Sequence, residues 1–102
     1  MASMKVSRGE AARGDDGEVL LAKGQHVLLR LWDGEEPTDD KPLHRRDYEV
    51  VGYVISGRAE LVMGGETVAL EAGDSWVVPA GTEHTYRILQ TFTALEAVAA
   101  AR

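Results

Sequence analysis

The chain has no cysteine among its 102 residues, which excludes disulfides, thiolate nucleophiles, zinc ribbons and iron–sulfur clusters. Cations are also few: 11 Lys and Arg stand against 17 Asp and Glu, so the formal net charge is −6. Nucleic-acid binding needs clustered cations that neutralise phosphates, and an anionic membrane surface attracts the same kind of cluster. The sequence therefore predicts neither a nucleic-acid partner nor a membrane partner.

Long apolar runs are missing too, since no segment reaches the ~18–20 residues that a membrane-spanning helix needs. The first residues, Met1 to Lys5, lack the apolar stretch of a secretory signal peptide, so we expect a cytoplasmic protein. With 44% apolar and 27% charged residues, the composition is that of a globular chain rather than a disordered one. The length predicts a single domain over residues 1–102.

Short apolar stretches separated by Gly, Pro and Asp turns dominate the chain from residue 25 onwards. They predict strands at residues 25–32, 50–56, 59–63, 67–70, 75–78, 86–89 and 92–96. Gly57 is expected to break a strand, and Gly64-Gly65 to form a two-residue hairpin turn. Strands at this spacing are typical of an all-β sandwich or barrel.

The remaining segments are expected to carry little regular structure. Residues 1–18 form a polar leading segment with one short edge strand near residues 4–7, and residues 33–42 form an acidic loop. The tail, residues 97–102, is expected to be a helical turn or to fray.

The turn residues that precede His84 carry a family resemblance. Four points of the second sequence motif of the cupin superfamily are matched, namely Gly73, Pro79, Gly81 and His84. Ile88 stands where that motif has Asn, and residues 44–57 resemble the first motif of the same superfamily. The resemblance implies a cupin-like jelly-roll, or double-stranded β-helix, barrel. It also implies a homodimer, because dimers are common among single-domain cupins and among symmetric oligomers in general.

The resemblance further implies a divalent metal (Fe, Mn, Ni or Zn) held by two His and one Glu of the first motif and the His of the second. His44 and His84 are the candidate histidines. Arg46 stands where the family has its second His, and a guanidinium has no lone pair to donate to a metal. A metal is therefore expected only if the His and Glu ligands that remain can hold it without the second His of the first motif.

The position of the Glu ligand depends on the register of the first motif. Counted back from Gly57, the family spacing reaches Val50 rather than Glu49. In an alternative register His44 takes the place of the second His, Pro42 takes the first position, and His44, Glu49 and His84 form the metal set. Both registers stay open.

Side-chain alternation along strands predicts which residues face the pocket of such a barrel. Tyr86 and Ile88 share the face of His84, and Val50, Gly52 and Val54 share the face of His44. The predicted ligand-binding residues are Arg46, Tyr86, Ile88, Val50, Gly52, Val54 and Trp76.

Three functions remain open at this point. The first is a cupin that binds a small organic ligand through a metal and, if it is an enzyme, acts as an oxygenase, isomerase or lyase. The second is a metal-free small-molecule binder or sensor in which Arg46 holds an anion. The third is a structural barrel without catalysis.

Overall fold

The computed structural model describes residues 4–99, which fold almost entirely into strands. The strands are β1 (Val19–Lys23), β2 (Val27–Glu35), β3 (Val50–Met63), β4 (Glu66–Glu71), β5 (Ser75–Val78) and β6 (His84–Ala99). A 3₁₀ helix, Arg8–Glu10, is the one helical element of residues 4–99, and no helix in that range is long and apolar enough to cross a membrane. The predicted all-β fold is confirmed.

The strands pair antiparallel in the order β1-β2-β6-β3-β4, with β5 added to the first residues of β3. Two isolated backbone bridges join Thr38 to Ile88 and His44 to His84. The segment between β2 and β3 thereby closes against the first residues of β6. The sheet rolls up around one apolar interior, and both histidines lie where it closes.

The two longest strands bend rather than break. Gly57 does not end a strand, as the sequence predicted, because β3 runs through it, and β6 likewise runs through the gap predicted between residues 89 and 92. The β3–β6 register shifts on both sides of Ser56, and Gly57 has a φ of 89°, which glycine adopts without strain. A Cβ at Gly57 would also overlap the carbonyl oxygen of Thr91. These irregularities supply the curvature of the rolled sheet.

Alternation along β3 separates an inner face from an outer face. Val50 and Val54 are exposed to only 2% and 0%, whereas Val51 and Tyr53 are exposed to 46% and 50%. The inner face contributes to one buried apolar cluster, which consists of Val50, Val54, Ala59, Leu61, Leu70, Trp76, Val78, Ile88, Phe92, Ala94 and Val98. The pleat period of two thus sets which residues reach the interior.

The ends of the chain depart from expectation. Residues 4–7 form no strand; instead Arg13 bridges to Val19 and leads into β1, which sequence reasoning missed. The tail prediction is wrong for residues 97–99, which continue β6 because Val98 is buried and paired on both sides. The rest of the predicted tail, residues 100–102, and residues 1–3 lie outside the described residues.

The predicted hairpin turn and the predicted short strand after it are confirmed. Gly64 and Gly65 form the hairpin turn between β3 and β4, and β5 covers the predicted residues 75–78. The acidic loop is shorter than predicted, because β2 continues to Glu35, which pairs with Phe92 of β6.

Candidate functional site

A cavity of about 240 Å³ opens on the inner face of the rolled sheet. Its apolar wall consists of Pro42, Val50, Trp76, Ile88, Phe92 and Ala94. Its polar lining consists of Asp16, Arg30, Trp32, Glu35, Lys41, His44, Arg46, His84, Thr85, Tyr86 and Glu96. An apolar cavity with a few convergent polar groups is the usual form of a small-molecule site.

His84 begins β6 and is only 6% exposed. Its Nδ1 lies 3.0 Å from the carbonyl oxygen of Thr82. Because a carbonyl oxygen can only accept, Nδ1 carries the proton and donates it. In the neutral ring Nε2 is then the atom with a lone pair, and a hydrogen bond of this kind also fixes the orientation of the imidazole.

His44 is held against His84 by the backbone. The amide nitrogen of each residue lies 2.8 Å from the carbonyl oxygen of the other. The His44 ring contacts Arg46, whose Nη2 lies 3.4 Å from His44 Nδ1. Since a guanidinium only donates, Nδ1 accepts, and the neutral His44 ring carries its proton on Nε2. The two histidines thus adopt opposite tautomers.

Arg46 is half-buried in the wall of the cavity. Of the three ion pairs in which both partners line the cavity, the pair formed by Arg46 is the longest. Arg46 Nη2 lies 3.7 Å from Asp16 Oδ2, with side-chain exposures of 36% and 55%. By contrast, Lys41 lies 3.3 Å from Glu35, and the remaining pair, described next, is 2.6 Å long. Exposed ion pairs at such distances contribute little, so the Arg46 guanidinium is the cation most easily given a new partner.

Arg30 and Glu96 form a buried pair on the cavity lining. Glu96 is 3% exposed, and its Oε1 accepts hydrogen bonds from Arg30 Nε at 2.6 Å and from the Trp32 indole at 2.8 Å. Burial opposes the charge on Arg30, but the charge and hydrogen bond of Glu96, together with Tyr48, more than offset it, so the pKa of Arg30 lies above its usual value. Both charges are therefore satisfied within the protein.

Tyr86 contacts both Trp76 and His84 in the cavity wall. Its hydroxyl oxygen accepts a hydrogen bond from the Trp76 indole at 3.1 Å, and its ring meets the His84 ring edge-on, with 5.6 Å between centroids. Burial raises the pKa of the Tyr86 phenol, and the nearby Glu96 carboxylate raises it further. The phenol therefore stays protonated.

Most of the sequence-predicted site residues meet at this cavity. Its lining includes His44, His84, Arg46, Tyr86, Ile88, Val50 and Trp76.

Three predicted residues lie elsewhere. Glu49 is exposed and outside the cavity lining, and its carbonyl oxygen accepts from the Ala99 amide. Val54 is fully buried in the core. Gly52 lies beneath the Trp76 indole, where a Cβ would overlap the ring. Gly52 therefore makes room for Trp76 instead of contacting the cavity itself.

Sequence reasoning missed Asp16, Arg30, Lys41 and Glu96 as lining residues. A signal for Glu96 was present, because the even-numbered positions of β6, apart from the exposed Gln90, face inward. Alternation that starts at His84 therefore reaches Glu96 on the same face. Arg30 is the residue directly opposite Glu96 on β2, which only the strand pairing reveals.

A divalent metal does not fit the residues present at this place. Within the described residues no cluster of three His, Asp or Glu side chains is arranged to hold one. Of the predicted set, the structure brings His44 and His84 together but not Glu49. The lone pair at His44 Nδ1 is engaged by Arg46, whose positive charge also repels a cation. Catalytic zinc sites normally use three protein ligands, more than this pair supplies.

Comparison with known proteins agrees with the rolled β-sheet. Residues 32–98 match the family model described as Cupin domain, while no curated protein matches the sequence. An RmlC-like cupin from Shewanella frigidimarina is similar with a TM-score of 0.78 and 19% identity, over 99% of this chain and 94% of that one. KdgF from Halomonas sp. is similar with a TM-score of 0.68 and 23% identity, over 83% and 80%. At these identities the solved structures support the fold alone.

Proposed function

The chain belongs to the cupin domain family, and on that premise we propose that it binds a small organic carboxylate without a metal. The observation that carries the proposal is the position of Arg46, a loosely paired guanidinium in the cavity wall beside His44. A guanidinium holds a carboxylate through two parallel hydrogen bonds, which makes it the side chain best suited to this role.

The charges around the cavity make Arg46, rather than another cation of the lining, the side chain at which an anion is expected to bind. Arg30 is held by a buried carboxylate at 2.6 Å, so its charge is already neutralised. Asp16, by contrast, is a half-exposed carboxylate 3.7 Å from Arg46. A ligand carboxylate takes the place of Asp16, and the Nε2 proton of His44 supplies a further donor nearby.

The rest of the ligand is expected to be apolar and aromatic. Trp76, Ile88 and Phe92 line the cavity, and its volume of about 240 Å³ accommodates a ring with a short side chain. A ligand such as phenylacetate has about ten heavy atoms, and ligand efficiencies for small molecules give an expected Kd of about 0.1–1 mM.

Arg46→Gln tests this proposal most simply, with Arg45→Gln as the matched control. Arg45 is the neighbouring cation; it donates to the Gly81 carbonyl oxygen and lies outside the cavity lining. Isothermal titration of chelator-treated protein with phenylacetate is expected to give a Kd about 10–100-fold weaker for Arg46→Gln, because a hydrogen-bonded charge is lost. Arg45→Gln is expected to bind like the wild type.

Two results would count against the proposal. Equal weakening by Arg45→Gln and Arg46→Gln would mean that net charge, not a specific site, attracts the anion. Near-stoichiometric Fe, Mn, Ni or Zn in tag-free protein, lost in His84→Ala, would favour the metal-dependent alternative instead.

A further inference from the structure

The wall of the cavity formed by β6 carries a hydrogen-bond acceptor next to a hydrogen-bond donor. His84 and Tyr86 lie two residues apart on the inward face of this strand, and their rings meet edge-on at 87°, with 5.6 Å between centroids. Both residues line the cavity. A ligand that contacts the first residues of β6 therefore meets two polar groups.

The acceptor is Nε2 of His84. Nδ1 of the same ring is 3.0 Å from the Thr82 carbonyl oxygen and must donate to it, which leaves the lone pair of the neutral imidazole on Nε2. None of the hydrogen bonds within residues 4–99 uses Nε2.

The donor is the hydroxyl of Tyr86. Its oxygen accepts from the Trp76 indole at 3.1 Å, so its own proton must be given to another acceptor. Across the part of the chain that the structure describes, no side chain or carbonyl takes this proton. A part-buried hydroxyl that lines a cavity and has a proton to donate favours a ligand oxygen at that place.

His84 and Tyr86 lie in the same cavity lining as Arg46 and His44, which form the proposed carboxylate site. His44 is paired with His84 through two backbone hydrogen bonds of 2.8 Å, and Arg46 lies 3.4 Å from the His44 ring. One cavity lining thus holds a guanidinium, an imidazole N–H, an imidazole lone pair and a phenol.

We propose that the cavity selects 2-hydroxy carboxylates, with the carboxylate on Arg46 and His44 and the hydroxyl between Tyr86 and His84. This inference rests on the proposed carboxylate site. Among a hydroxyl, a carbonyl and a methylene at this carbon, only the hydroxyl matches the pair, because it accepts a hydrogen bond from Tyr86 and donates one to His84 Nε2. A carbonyl oxygen would accept from Tyr86 but has no proton to donate to His84 Nε2. A methylene would leave both His84 Nε2 and the Tyr86 hydroxyl without a hydrogen-bond partner.

A ligand series on the wild-type protein tests the inference without any substitution. The probes are phenylacetate, phenylglyoxylate and the separate enantiomers of mandelate, which share a phenyl group and a carboxylate and differ at one carbon. At about pH 8, where free imidazole is neutral, the better mandelate enantiomer is expected to bind about tenfold more tightly than phenylacetate. Phenylglyoxylate is expected to bind at least about threefold more weakly than mandelate, because it cannot donate.

Tyr86→Phe provides the second arm, with Tyr53→Phe as its matched control. Tyr53 lies on the outer face of β3 and is 50% exposed. Tyr86→Phe is expected to reduce the preference for mandelate over phenylacetate, measured on the same variant, to about twofold or less. Tyr53→Phe is expected to keep the tenfold preference. Thermal unfolding of each variant shows whether it is folded under the titration conditions.

The outcomes separate this inference from the proposed function. If the wild type binds all the probes with equal Kd, the hydroxyl subsite is wrong while the carboxylate site stands. If Tyr86→Phe keeps the mandelate preference, Tyr86 is not the donor and the inference fails. If no probe binds, the proposed function itself fails.

Discussion

Arg46 lies against His44, with 3.4 Å between the guanidinium Nη2 and the imidazole Nδ1. This contact places a permanent cation against the imidazole of His44 and engages the lone pair on its Nδ1. It turns a position typical of metal ligation into a group of hydrogen-bond donors suited to an anion.

Asp16 competes with ligand for Arg46, so its removal should strengthen carboxylate binding. Asp16→Asn deletes the charge that lies 3.7 Å from the guanidinium, and phenylacetate is expected to bind about threefold more tightly. Asp15→Asn, on the same loop but outside the cavity lining, is the control and is expected to have little effect. Isothermal titration at low salt measures both, and equal Kd values for the two variants would show that Asp16 does not compete.

Tyr86 is expected to make the protein sensitive to alkali. Burial raises the pKa of its phenol above the usual value of 10.0, so the folded state holds this proton more tightly than the unfolded state. The associated stability is fully present below pH 10.0 and falls as the pH rises further, because the unfolded chain then releases the proton more readily.

Urea unfolding on both sides of pH 10.0 measures this effect. The free energy of unfolding of the wild type should decline more between about pH 9 and about pH 11 than that of Tyr86→Phe, which has no phenol to titrate. Parallel declines in the two proteins would contradict the assignment.

Gly52 is required by packing, since a methyl group at this position would overlap the Trp76 indole. Gly52→Ala is expected to lower the free energy of unfolding by about 1–3 kcal/mol, the usual cost of overpacking. Gly9→Ala is a control, because a Cβ there meets no atom within 4 Å. Urea unfolding compares the two, and unchanged stability of Gly52→Ala would mean that Trp76 moves aside at little cost.

The homodimer expected from the sequence stays a prediction. The outer face of the sheet carries Val51, Tyr53, Ile55 and Val77, each about half exposed. If two copies pair through this face, Tyr53→Glu should convert a dimer to a monomer in sedimentation velocity, because it buries an unpaired charge. A wild-type protein that sediments as a monomer would overturn the expectation.

The all-β class could be predicted from the sequence because strands and turns are encoded locally, whereas the barrel was implied by the family resemblance. Turn residues such as Pro79 and Gly81 end and restart strands within a few residues, and alternation then assigns each face. The same alternation brought His84 and Tyr86 to one wall of the cavity.

The polar lining could not be predicted in the same way, because it depends on pairs that are distant in sequence. Arg30 and Glu96 form a hydrogen bond although they are 66 residues apart in the sequence. Asp16 pairs with Arg46, but it lies in the N-terminal segment, whose sequence has no periodic pattern. Strand continuity through Gly57 was also missed, since a bulge and a break have the same local sequence.

The most direct test of a metal-free carboxylate site is the Kd of phenylacetate before and after metal is supplied. Tag-free protein is stripped with chelator, checked by elemental analysis, and titrated alone and with Fe(II), Mn, Ni or Zn. We expect the same Kd within about twofold in every case, because Arg46 supplies the positive charge. Binding that appears only after a metal is added would contradict this account.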